Sequence, residues 1–563
     1  MCGIQILVTR VGSAVCGDSE QMWTRLTAAN SRRGPDAHNQ VTVQLPSATV
    51  RLGAHVLHLR GPHTQPQPMV SETTGDVLCW NGEVFAGLDI GSSNDGALLL
   101  QEIERQKTLD PQHYILQAFS RIEGPYAFVY LDRAQNHLWF ARDYLGRRSL
   151  LSRKLGAHGL LISSVADRVD EQNSWIELPA QVIYRVDLAS AEPDPFAFVE
   201  YPWHYARTDL HADDLHADGG SPLTMPFGCV NQEISSGALL ASGDGPQTRQ
   251  LSDLAELPDA ADWQPYVDRL EHELTAAISA RVSSIPANSG NARVGLLFSG
   301  GVDCITIAAL LTRILPPSEP IELFNVAFEN PRQAKQQQPT YAVPDRKTGV
   351  QGWRELQLLD PRRDWRFVEV DVPYAQAQAH MPHIRQLLVP ADTVMDMSIA
   401  LAIWFASRGR GTLVGAGGSA EYAGRARVLL LGMGADEQLG GYSRHRSAWD
   451  AGGWPRLGQE IALDVRRIAL RNLGRDDRVV SDNGKEARFP FLAAGVVDFL
   501  CDTPLNYKMD MRYPRGVGEK LLLRLLARRL GLVQASMLAK RAIQFGARTA
   551  KMESGQTRGQ DAL

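Results

Sequence analysis

The sequence predicts two domains in series, an α+β layered domain followed by a doubly wound α/β domain. Three observations support this fold class. The chain has 563 residues, which is too long for one ordinary core. Its first part alternates short apolar runs with turn residues, as strands and loops do. Its later part alternates strand-length apolar runs with helical patterns, which favours a parallel sheet covered by helices.

The first domain is predicted over residues 1–195. Six apolar runs are typical of strands: IQILV, QVTVQL, VLCWNGEV, YAFVYLD, HLWFARD and LLISSV. One helical stretch, ALLLQEIERQ, lies between them. Residues 196–260 are predicted to be a loop-rich connector, because PDPF, HADDLHADGGSP and SGDGPQ carry few apolar residues.

The second domain is predicted over residues 261–552. It opens with a helix, WQPYVDRLEHELTAAISARV, whose apolar residues recur every three or four positions. Its predicted strands are RVGLLFSGG, IELFNVAF, WRFVEVDV and RVLLLGMG, and two further helices are DCITIAALLTRIL and MDMSIALAIWFASRG. Residues 553–563 form a tail of low hydrophobicity that we expect to be mobile.

Composition excludes several classes of protein. Apolar residues make up 44% and charged residues 21%, as in soluble globular proteins. A net charge of −5 gives no electrostatic reason to expect nucleic acid or an acidic membrane as a partner. The six cysteines show no metal-ligand spacing, and no apolar run is long enough to span a bilayer. We therefore expect reduced thiols and a cytoplasmic protein.

The opening MCGIQILV places Cys2 where removal of the first methionine would make it the N-terminus. Its thiol and its α-amine would then belong to one residue. Because an α-amine titrates near pH 8, it can act as a base close to neutral pH. Cys2 is therefore a candidate nucleophile of the N-terminal type. The alternative is a small buried residue that opens a strand.

Two glycine-rich turns each follow a predicted strand in the second domain. The first, Ser299-Gly300-Gly301-Val302-Asp303, leads directly into a helix, so its N–H groups can bind an anion. It lacks the GK[ST] of a Walker loop. The second precedes Asp436 and Glu437. In a parallel sheet both turns open at one edge, so Asp303 and Asp436 could hold one Mg²⁺; the alternative for Asp436-Glu437 is a charge pair at a helix N-terminus.

Long motifs resemble those of the asparagine synthetase family of class II glutamine amidotransferases. They are MCGI, RRGPD, AHVLHLRG, WNGEVF, ARDYLGRRSLL, LFSGGVDC, VPDRKTG, LLLGMGADEQLGGYSRHR, RNLGRDDR, GKEARFPFL and KRAIQFG, in this order over nearly the whole chain. The resemblance implies an N-terminal-nucleophile (Ntn) glutaminase domain of stacked sheets. It also implies that an ATP pyrophosphatase (PP-loop) domain follows.

The same resemblance implies roles for residues of the first domain. Cys2 would attack the side-chain amide of glutamine, and Asn81 with the N–H of Gly82 would form the oxyanion hole. Glu83 and Asp95 fall where the family binds the α-amino end of glutamine; the alternative for Asp95 is a turn residue.

In the second domain the resemblance implies an ATP site and an Mg²⁺ site. The residues implied to bind ATP are Leu297, Ser299, Gly300, Gly301, Asp303, Val326, Leu431 and Gly432, and those implied to bind the metal are Asp303 and Asp436. Glu486 and Lys540 fall where the family places a charged pair near the adenylate. Arg541 is an alternative to Lys540, and a solvated basic helix end is an alternative for either.

Two departures from the family pattern concern binding of the substrates. Met433 stands where members that make asparagine carry a glutamate, so a carboxylate is lost from the second turn. Leu57 stands where the family carries an arginine for the glutamine carboxylate. His58 or Arg60 could replace that arginine, although continued strand alternation would point Arg60 to the side opposite Leu57.

The resulting function hypothesis is amidation of aspartate to asparagine, driven by hydrolysis of glutamine and cleavage of ATP to AMP and pyrophosphate. One alternative keeps this chemistry with a different, less polar carboxylate. Another is a catalytically silent regulatory or scaffold protein, which Met433 and Leu57 favour. A tRNA-modifying enzyme would require a basic, aromatic-rich face, and the chain offers only short basic runs such as LLARRL. A homodimer is left open.

Overall fold

The structure is a computed structural model that describes residues 2–12, 18–167, 175–190, 194–205, 222–235, 262–287, 290–330, 341–415, 418–470 and 472–551. Its first domain contains two antiparallel sheets packed face to face, and its second domain is built around one mixed sheet. The predicted fold class, an Ntn-type α+β domain followed by a doubly wound α/β domain, is confirmed.

The first domain contains every strand and the helix that the sequence predicts. Its strands are β1 (Gly3–Arg10), β2 (Ala37–Gln44), β3 (Ala48–Val56), β4 (Met69–Val70), β5 (Val77–Gly82), β6 (Tyr126–Asp132), β7 (His137–Arg142), β8 (Leu151–Lys154), β9 (Gly159–Ser163), β10 (Ile176–Glu177), β11 (Val182–Asp187) and β12 (Val199–Pro202), and its helices are α1 (Asp18–Arg33), α2 (Asp95–Leu109) and α3 (Tyr114–Ser120). The sheet orders are β10-β8-β9-β1-β3-β2 and β12-β11-β7-β6-β5-β4.

Alternation along the strands builds the core between the two sheets. Ile4, Ile6 and Val8 of β1 face Val129 and Phe140 of the opposite sheet within one apolar cluster. Burial of each such side chain stabilises the fold by roughly 1.5–3 kcal/mol. The same stacking brings the start of β1 over the end of β5, where Cys2 and Asn81 lie.

The second domain follows the predicted doubly wound pattern. Its strands are β13 (Val294–Leu297), β14 (Ile321–Phe328), β15 (Trp365–Val372), β16 (Arg410–Gly415), β17 (Gly418–Ala423), β18 (Val428–Leu430) and β19 (Glu486–Arg488). Its helices are α4 (Gln264–Ser283), α5 (Val302–Leu311), α6 (Pro344–Leu359), α7 (Tyr374–Leu388), α8 (Val394–Arg408), α9 (Ala435–Leu439), α10 (Ser443–Arg467), α11 (Leu473–Ser481), α12 (Ala494–Asp502), α13 (Leu505–Lys508), α14 (Leu521–Arg529) and α15 (Ile543–Gly546).

The sheet order of this domain, β17-β16-β15-β14-β13-β18-β19, places the two glycine-rich turns side by side. Strands β13 and β18 are parallel neighbours, with Leu296 opposite Leu430. Both strands therefore end at the same edge of the sheet, where ligands bind in open α/β folds. The antiparallel hairpin β16–β17 is not predicted by the sequence pattern, because its half-buried or exposed residues show no clear apolar alternation.

The predicted connector is described only in part. Strand β12 lies within it and pairs with β11, so it extends the second sheet of the first domain. Residues 222–235 contact the second domain, where the backbone N–H of Asn231 donates to the carbonyl of Cys501 at 2.6 Å. Residues 206–221, residues 236–260 and the predicted tail 553–563 lie outside the described residues.

Buried ion pairs join the two domains. Arg33 donates to Asp477 at 2.7 Å, and both side chains are fully buried. Arg478 donates to Glu177 at 2.8 Å across the same boundary. Removing one member of a buried pair would leave an uncompensated charge, so these contacts hold the domains in one arrangement. Among the described residues, none of the helices combines the length and the apolar character that a bilayer crossing requires.

Candidate active sites

Cys2 is buried at the start of β1. Its backbone N–H donates to Oδ1 of Asn81 at 2.9 Å, and Nε2 of Gln67 lies 3.6 Å from its sulfur. Burial raises the pKa of the thiol, so the neutral form is favoured. A neutral thiol needs a base in order to attack. An α-amine on the same residue would supply that base, held in place by Asn81.

Asn81 has the geometry of an oxyanion donor. It is fully buried near the end of β5, and its Oδ1 accepts the hydrogen bond from the backbone N–H of Cys2. Its Nδ2 has no hydrogen-bond partner in the described part of the chain. A buried donor without a partner costs free energy unless a ligand accepts from it. Gly82 follows directly on the same strand, as the predicted oxyanion hole requires.

The three residues predicted to bind glutamine come together beside this strand. Nη1 of Arg60 lies 3.5 Å from Oε2 of Glu83, and Asp95 accepts from the backbone N–H of Val84 at 3.0 Å. The strand alternation that would point Arg60 to the side opposite Leu57 is not present in the structure. Strand β3 ends at Val56, so strand alternation does not extend to Arg60.

The carboxylates of this pocket are arranged to receive a cation. Burial raises the pKa of Glu83 to about 7, despite the opposing effect of Arg488. Burial also raises the pKa of Asp95, although the backbone N–H of Val84 favours its ionised form. An ammonium group that entered the pocket would stabilise both ionised carboxylates.

Leu57 is buried, with 4% of its surface exposed. With Leu59 it belongs to an apolar cluster whose other members all come from the second domain. Its backbone hydrogen bond lowers the pKa of the Cys2 thiol, against the larger effect of burial. The backbone of Leu57 therefore favours the ionised form of Cys2, and its side chain contributes to the contact between the domains.

Glu486 lies beside the glutaminase pocket. Its carboxylate accepts from Nε of Arg488 at 2.6 Å and lies 3.2 Å from Nη2 of Arg148. Arg488 in turn lies 3.0 Å from Glu83. The expected pair of Glu486 and Lys540 near the nucleotide is therefore wrong, because β19 runs beside the first domain and carries Glu486 to that boundary.

The first glycine-rich turn is shaped by helix α6. A Cβ atom at Gly300, whose φ is +75°, would lie 2.1 Å from the carbonyl oxygen of Thr348, so only glycine fits. The hydroxyl of Thr348 donates to the carbonyl of Ser299 at 2.6 Å. Gly301 then caps the N-terminus of α5. The VPDRKTG motif thus begins the helix that holds the predicted phosphate loop.

Lys520 links the two turns. Its Nζ lies 2.6 Å from Asp303 and 2.6 Å from Asp436, and its side chain is 1% exposed. Lys540 contacts the other oxygen of Asp436. The two carboxylates lower the total cost of burying the ammonium groups, and the ammonium groups hold the pKa of Asp436 well below its usual range, against the effect of burial.

A small basic pocket of about 70 Å³ opens beside the first turn. Its cationic side chains are Lys520, Arg524, Lys540 and Arg541. Nη2 of Arg524 is buried and has no hydrogen-bond partner in the described residues. Four cations, a phosphate-type loop and an unpartnered guanidinium nitrogen fit a polyphosphate group.

A larger cavity of about 220 Å³ adjoins this pocket. The predicted residues that line it are Leu297, Ser299, Gly301, Asp303, Leu431, Gly432, Asp436 and Lys540. Met433 also lines it. In the described part of the chain, the lining does not include Gly300, Val326 or Glu486, and Val326 is buried within β14.

The residues present fit a magnesium ion. Mg²⁺ prefers oxygen ligands and is commonly held by one or two carboxylates together with phosphates of the substrate. The carboxylates of Asp303 and Asp436 both contact Nζ of Lys520, so they are close enough to share one ion. They would hold the metal, and the ammonium group would then pair with a phosphate oxygen.

Several residues of these sites are not predicted from the sequence. They are Arg488 of β19, Thr348 of α6, and Lys520 and Arg524 at α14. The stretch VGEKLLLR carries one signal that could find Lys520. It places a lone lysine before an apolar run of helical type, at a position that the structure shows in the left-handed region with φ of 57°.

Two family models match the chain, a glutamine amidotransferase domain over residues 1–199 and asparagine synthase over residues 449–559. A mouse (Mus musculus) protein named asparagine synthetase domain-containing protein 1 is 37% identical over 100% of this chain and 99% of its own length. The human (Homo sapiens) protein of that name is 37% identical over 93% of this chain and 91% of its own length. This chain belongs to the asparagine synthetase domain-containing protein 1 family.

A more distant relative agrees with this assignment. The Drosophila melanogaster protein named asparagine synthetase domain-containing protein CG17486 is 31% identical over 100% of both chains. The mouse and Drosophila proteins thus match this chain over its whole length. The resemblance to asparagine synthetases of the class II amidotransferase type is confirmed.

Proposed function

We propose that this protein is a glutamine-dependent, ATP-cleaving amidotransferase of the asparagine synthetase type. Aspartate is the acceptor by family default, and the products are asparagine, glutamate, AMP and pyrophosphate. The observation that carries the proposal is that Asp303 and Asp436 converge on Lys520 in a pocket with four basic side chains, which suits the binding of a pyrophosphate group. The described cysteines are all free thiols, which suits a cytoplasmic site of action.

The glutaminase step would use the groups around Cys2. The α-amine accepts the thiol proton as sulfur attacks the amide carbon of glutamine, and Asn81 Nδ2 donates to the resulting oxyanion. Collapse of this intermediate transfers a proton to the leaving nitrogen and releases ammonia. Water then cleaves the thioester to glutamate. Glu83 and Asp95 hold the ammonium group of the substrate.

The synthetase step would take place where the two cavities meet. An oxygen of the acceptor carboxylate attacks the α-phosphorus of ATP, and the bond to the β-phosphate oxygen breaks. The residues Lys520, Arg524 and Lys540 would bind the pyrophosphate that leaves. Ammonia then attacks the acyl carbon, AMP departs with the bonding electrons, and the amide nitrogen loses one proton. When bound, Mg²⁺ would neutralise negative charge on the pyrophosphate.

A second candidate is a nucleotide-binding protein without turnover. Leu57 favours it, because this side chain packs into the second domain at the position of the family's carboxylate-binding arginine. Met433 favours it too, since the residue carries no charge where members that make asparagine have a glutamate. In this case ATP and Mg²⁺ would bind, and pyrophosphate would not be released.

Pyrophosphate release with a panel of carboxylates, measured with glutamine and separately with ammonium chloride, tests the proposal. We expect both nitrogen sources to support release of AMP and pyrophosphate. The Cys2→Ala variant should lose the glutamine-dependent reaction and keep the ammonium-dependent one. Glutamate release that persists in this variant would remove the thiol from the mechanism. ATP binding without pyrophosphate release for any carboxylate would instead favour the second candidate.

A further inference from the structure

One wall of the larger cavity carries a buried carboxylate that is only half satisfied. Asp476 of α11 is fully buried, and its Oδ1 accepts from Nε of Arg475 at 2.9 Å. Its Oδ2 has no hydrogen-bond partner in the described part of the chain, and the residue lines the cavity. Burial raises the pKa of Asp476, against the opposing effect of Arg475. A buried acceptor of this kind is costly unless a donor reaches it.

Apolar side chains line the cavity between the glycine-rich turns and this wall. Met433 belongs to the second turn, and Ile399 and Ile403 belong to helix α8. Ile468 precedes α11 and Leu473 is the first residue of that helix; they are 5% and 4% exposed. All five side chains belong to or pack against one apolar cluster. A ligand that crosses this region would gain most from an apolar body.

The arginines of the same wall already have carboxylate partners. Arg475 contacts both Asp396 and Asp476. Arg444 contacts Asp464, which also pairs with His445 at 2.7 Å. A second carboxylate on the acceptor, such as the one that aspartate carries, would have to displace one of these contacts. The wall is therefore better suited to a donor than to an anion.

The position of the reacting carboxylate follows from the two cavities. Ser299, Gly301, Asp303 and Lys540 line both of them, so the α-phosphorus of ATP would lie at this common border if pyrophosphate occupies the smaller pocket. The carboxylate must approach from the larger cavity. Its other end would then extend along Met433 toward α11.

We propose that the acceptor is a carboxylate with an apolar chain and a terminal amine, which Asp476 recognises. This inference rests on the proposed function, since it names the substrate class of the same synthetase site. The amine donates to the unpartnered Oδ2 of Asp476, and the chain packs on Met433 and Ile468. Aspartate lacks the apolar chain and adds a second carboxylate.

A series of acceptors tests this directly on the full-length wild-type protein. ATP–pyrophosphate exchange would be measured with glycine, β-alanine, 4-aminobutanoate and 6-aminohexanoate, with acetate to hexanoate as matched acids lacking the amine, and with L-aspartate. We expect one of the longer amino acids to show a kcat/KM at least tenfold above both its matched acid and aspartate. Exchange supported best by aspartate would overturn this inference and leave the proposed function intact. Exchange with no acid at all would overturn both.

The Asp476→Asn variant tests whether Asp476 binds the amino group of the acceptor. We expect it to raise the KM of the best amino acid at least tenfold and to leave the KM for ATP and for the matched acid unchanged. Asp194→Asn is the matched control, because Asp194 forms an exposed pair with Lys154 in the first domain. If Asp476→Asn raises only the KM for ATP, Asp476 contacts the nucleotide. That result would overturn the assignment of Asp476 to the amine of the acceptor.

Discussion

The guanidinium group of Arg488 lies 3.0 Å from the carboxylate of Glu83, so a strand of the second domain supplies part of the proposed glutamine pocket of the first. Arg488 is fully buried and also contacts Glu486, which pairs with Arg148 of the first domain. Charges therefore alternate across the boundary beside Cys2. The glutaminase pocket is complete only when both domains are folded together.

Replacement of Arg488 should impair glutamine use and stability together. Arg488→Gln leaves Glu83 and Glu486 buried without their shared cation, and loss of one member of a buried pair costs about 3–5 kcal/mol. Chemical denaturation and glutaminase assays would measure both effects. Arg105→Gln is the control, because the exposed pair of Arg105 with Glu102 contributes little to stability. Equal losses in the two variants would contradict a special role for Arg488.

The KM for glutamine should fall as pH rises through neutrality. The pKa of Glu83 is about 7 in the folded protein, and its ordinary value is 4.5. In the proposed mechanism the ammonium group of glutamine binds the ionised form, so KM should drop about tenfold between about pH 6 and pH 8. Steady-state kinetics over this range would measure it. Glu83→Gln should give a high KM that varies less with pH than that of the wild type.

The same pKa shift has the opposite consequence for stability. A raised folded-state pKa means that the folded protein binds the proton more tightly than the unfolded chain does. The contribution of Glu83 to the free energy of unfolding should therefore decline as pH rises from about 4.5 to about 7. The difference between wild type and Glu83→Gln, followed by denaturation across this range, would show it. A difference that grows in favour of wild type with pH would contradict the shift.

Lys520 should be essential both for folding stability and for pyrophosphate release. Lys520→Met leaves Asp303 and Asp436 facing one another without the ammonium group between them. We expect a lower Tm in EDTA, partly restored by Mg²⁺, and at least a hundredfold loss of ATP–pyrophosphate exchange. Lys154→Met is the control, since Lys154 forms an exposed pair with Asp194. A Tm that does not respond to Mg²⁺ would argue against a metal held by the two carboxylates.

Asn81 should act on kcat more than on KM. Asn81→Ala removes the unpartnered Nδ2 donor and also the acceptor that holds the Cys2 nitrogen. Loss of one oxyanion donor typically lowers kcat by about 10²–10³. The ammonium-dependent reaction of the same variant should be unchanged, which separates this effect from misfolding. Asn39→Ala, an exposed asparagine on β2, provides the matched control.

Periodicity and turn residues predict most of the fold because local burial decides it. Strand β6 and strand β14 are buried at every position, and both appear in the sequence as mainly apolar runs, YAFVYLD and IELFNVAF. Hairpin β16–β17 cannot be found in this way, because its partly exposed residues carry no clear alternation. Helix α1 is missed too, since polar residues cover most of DSEQMWTRLTAANSRR. Helix α1 is held in part by Leu161 and Trp175, which are distant in sequence and pack with its Trp23.

The residues of the candidate site likewise divide into those that the sequence predicts and those that it misses. Motif resemblance points to Cys2, Asn81, Glu83 and the strand-end turns, because these residues stand within long recognisable stretches. It misplaces Glu486, since no motif tells which domain will face the side chain of a short strand. It also misses Lys520, which pairs with Asp303 and Asp436. Asp303 lies 217 residues away along the chain, so no local pattern around Lys520 reveals the contact.

The packing of Leu57 and Leu59 into the second domain has a consequence for biosynthesis. Both leucines leave the ribosome early, whereas their packing partners span Trp263 to Ala535. At synthesis rates of about 5–20 residues per second, this surface stays uncovered for roughly ten seconds to more than a minute. A nascent first domain thus exposes two apolar side chains next to Cys2 until the second domain has been made. Chaperones that bind exposed apolar surface should therefore bind it during translation.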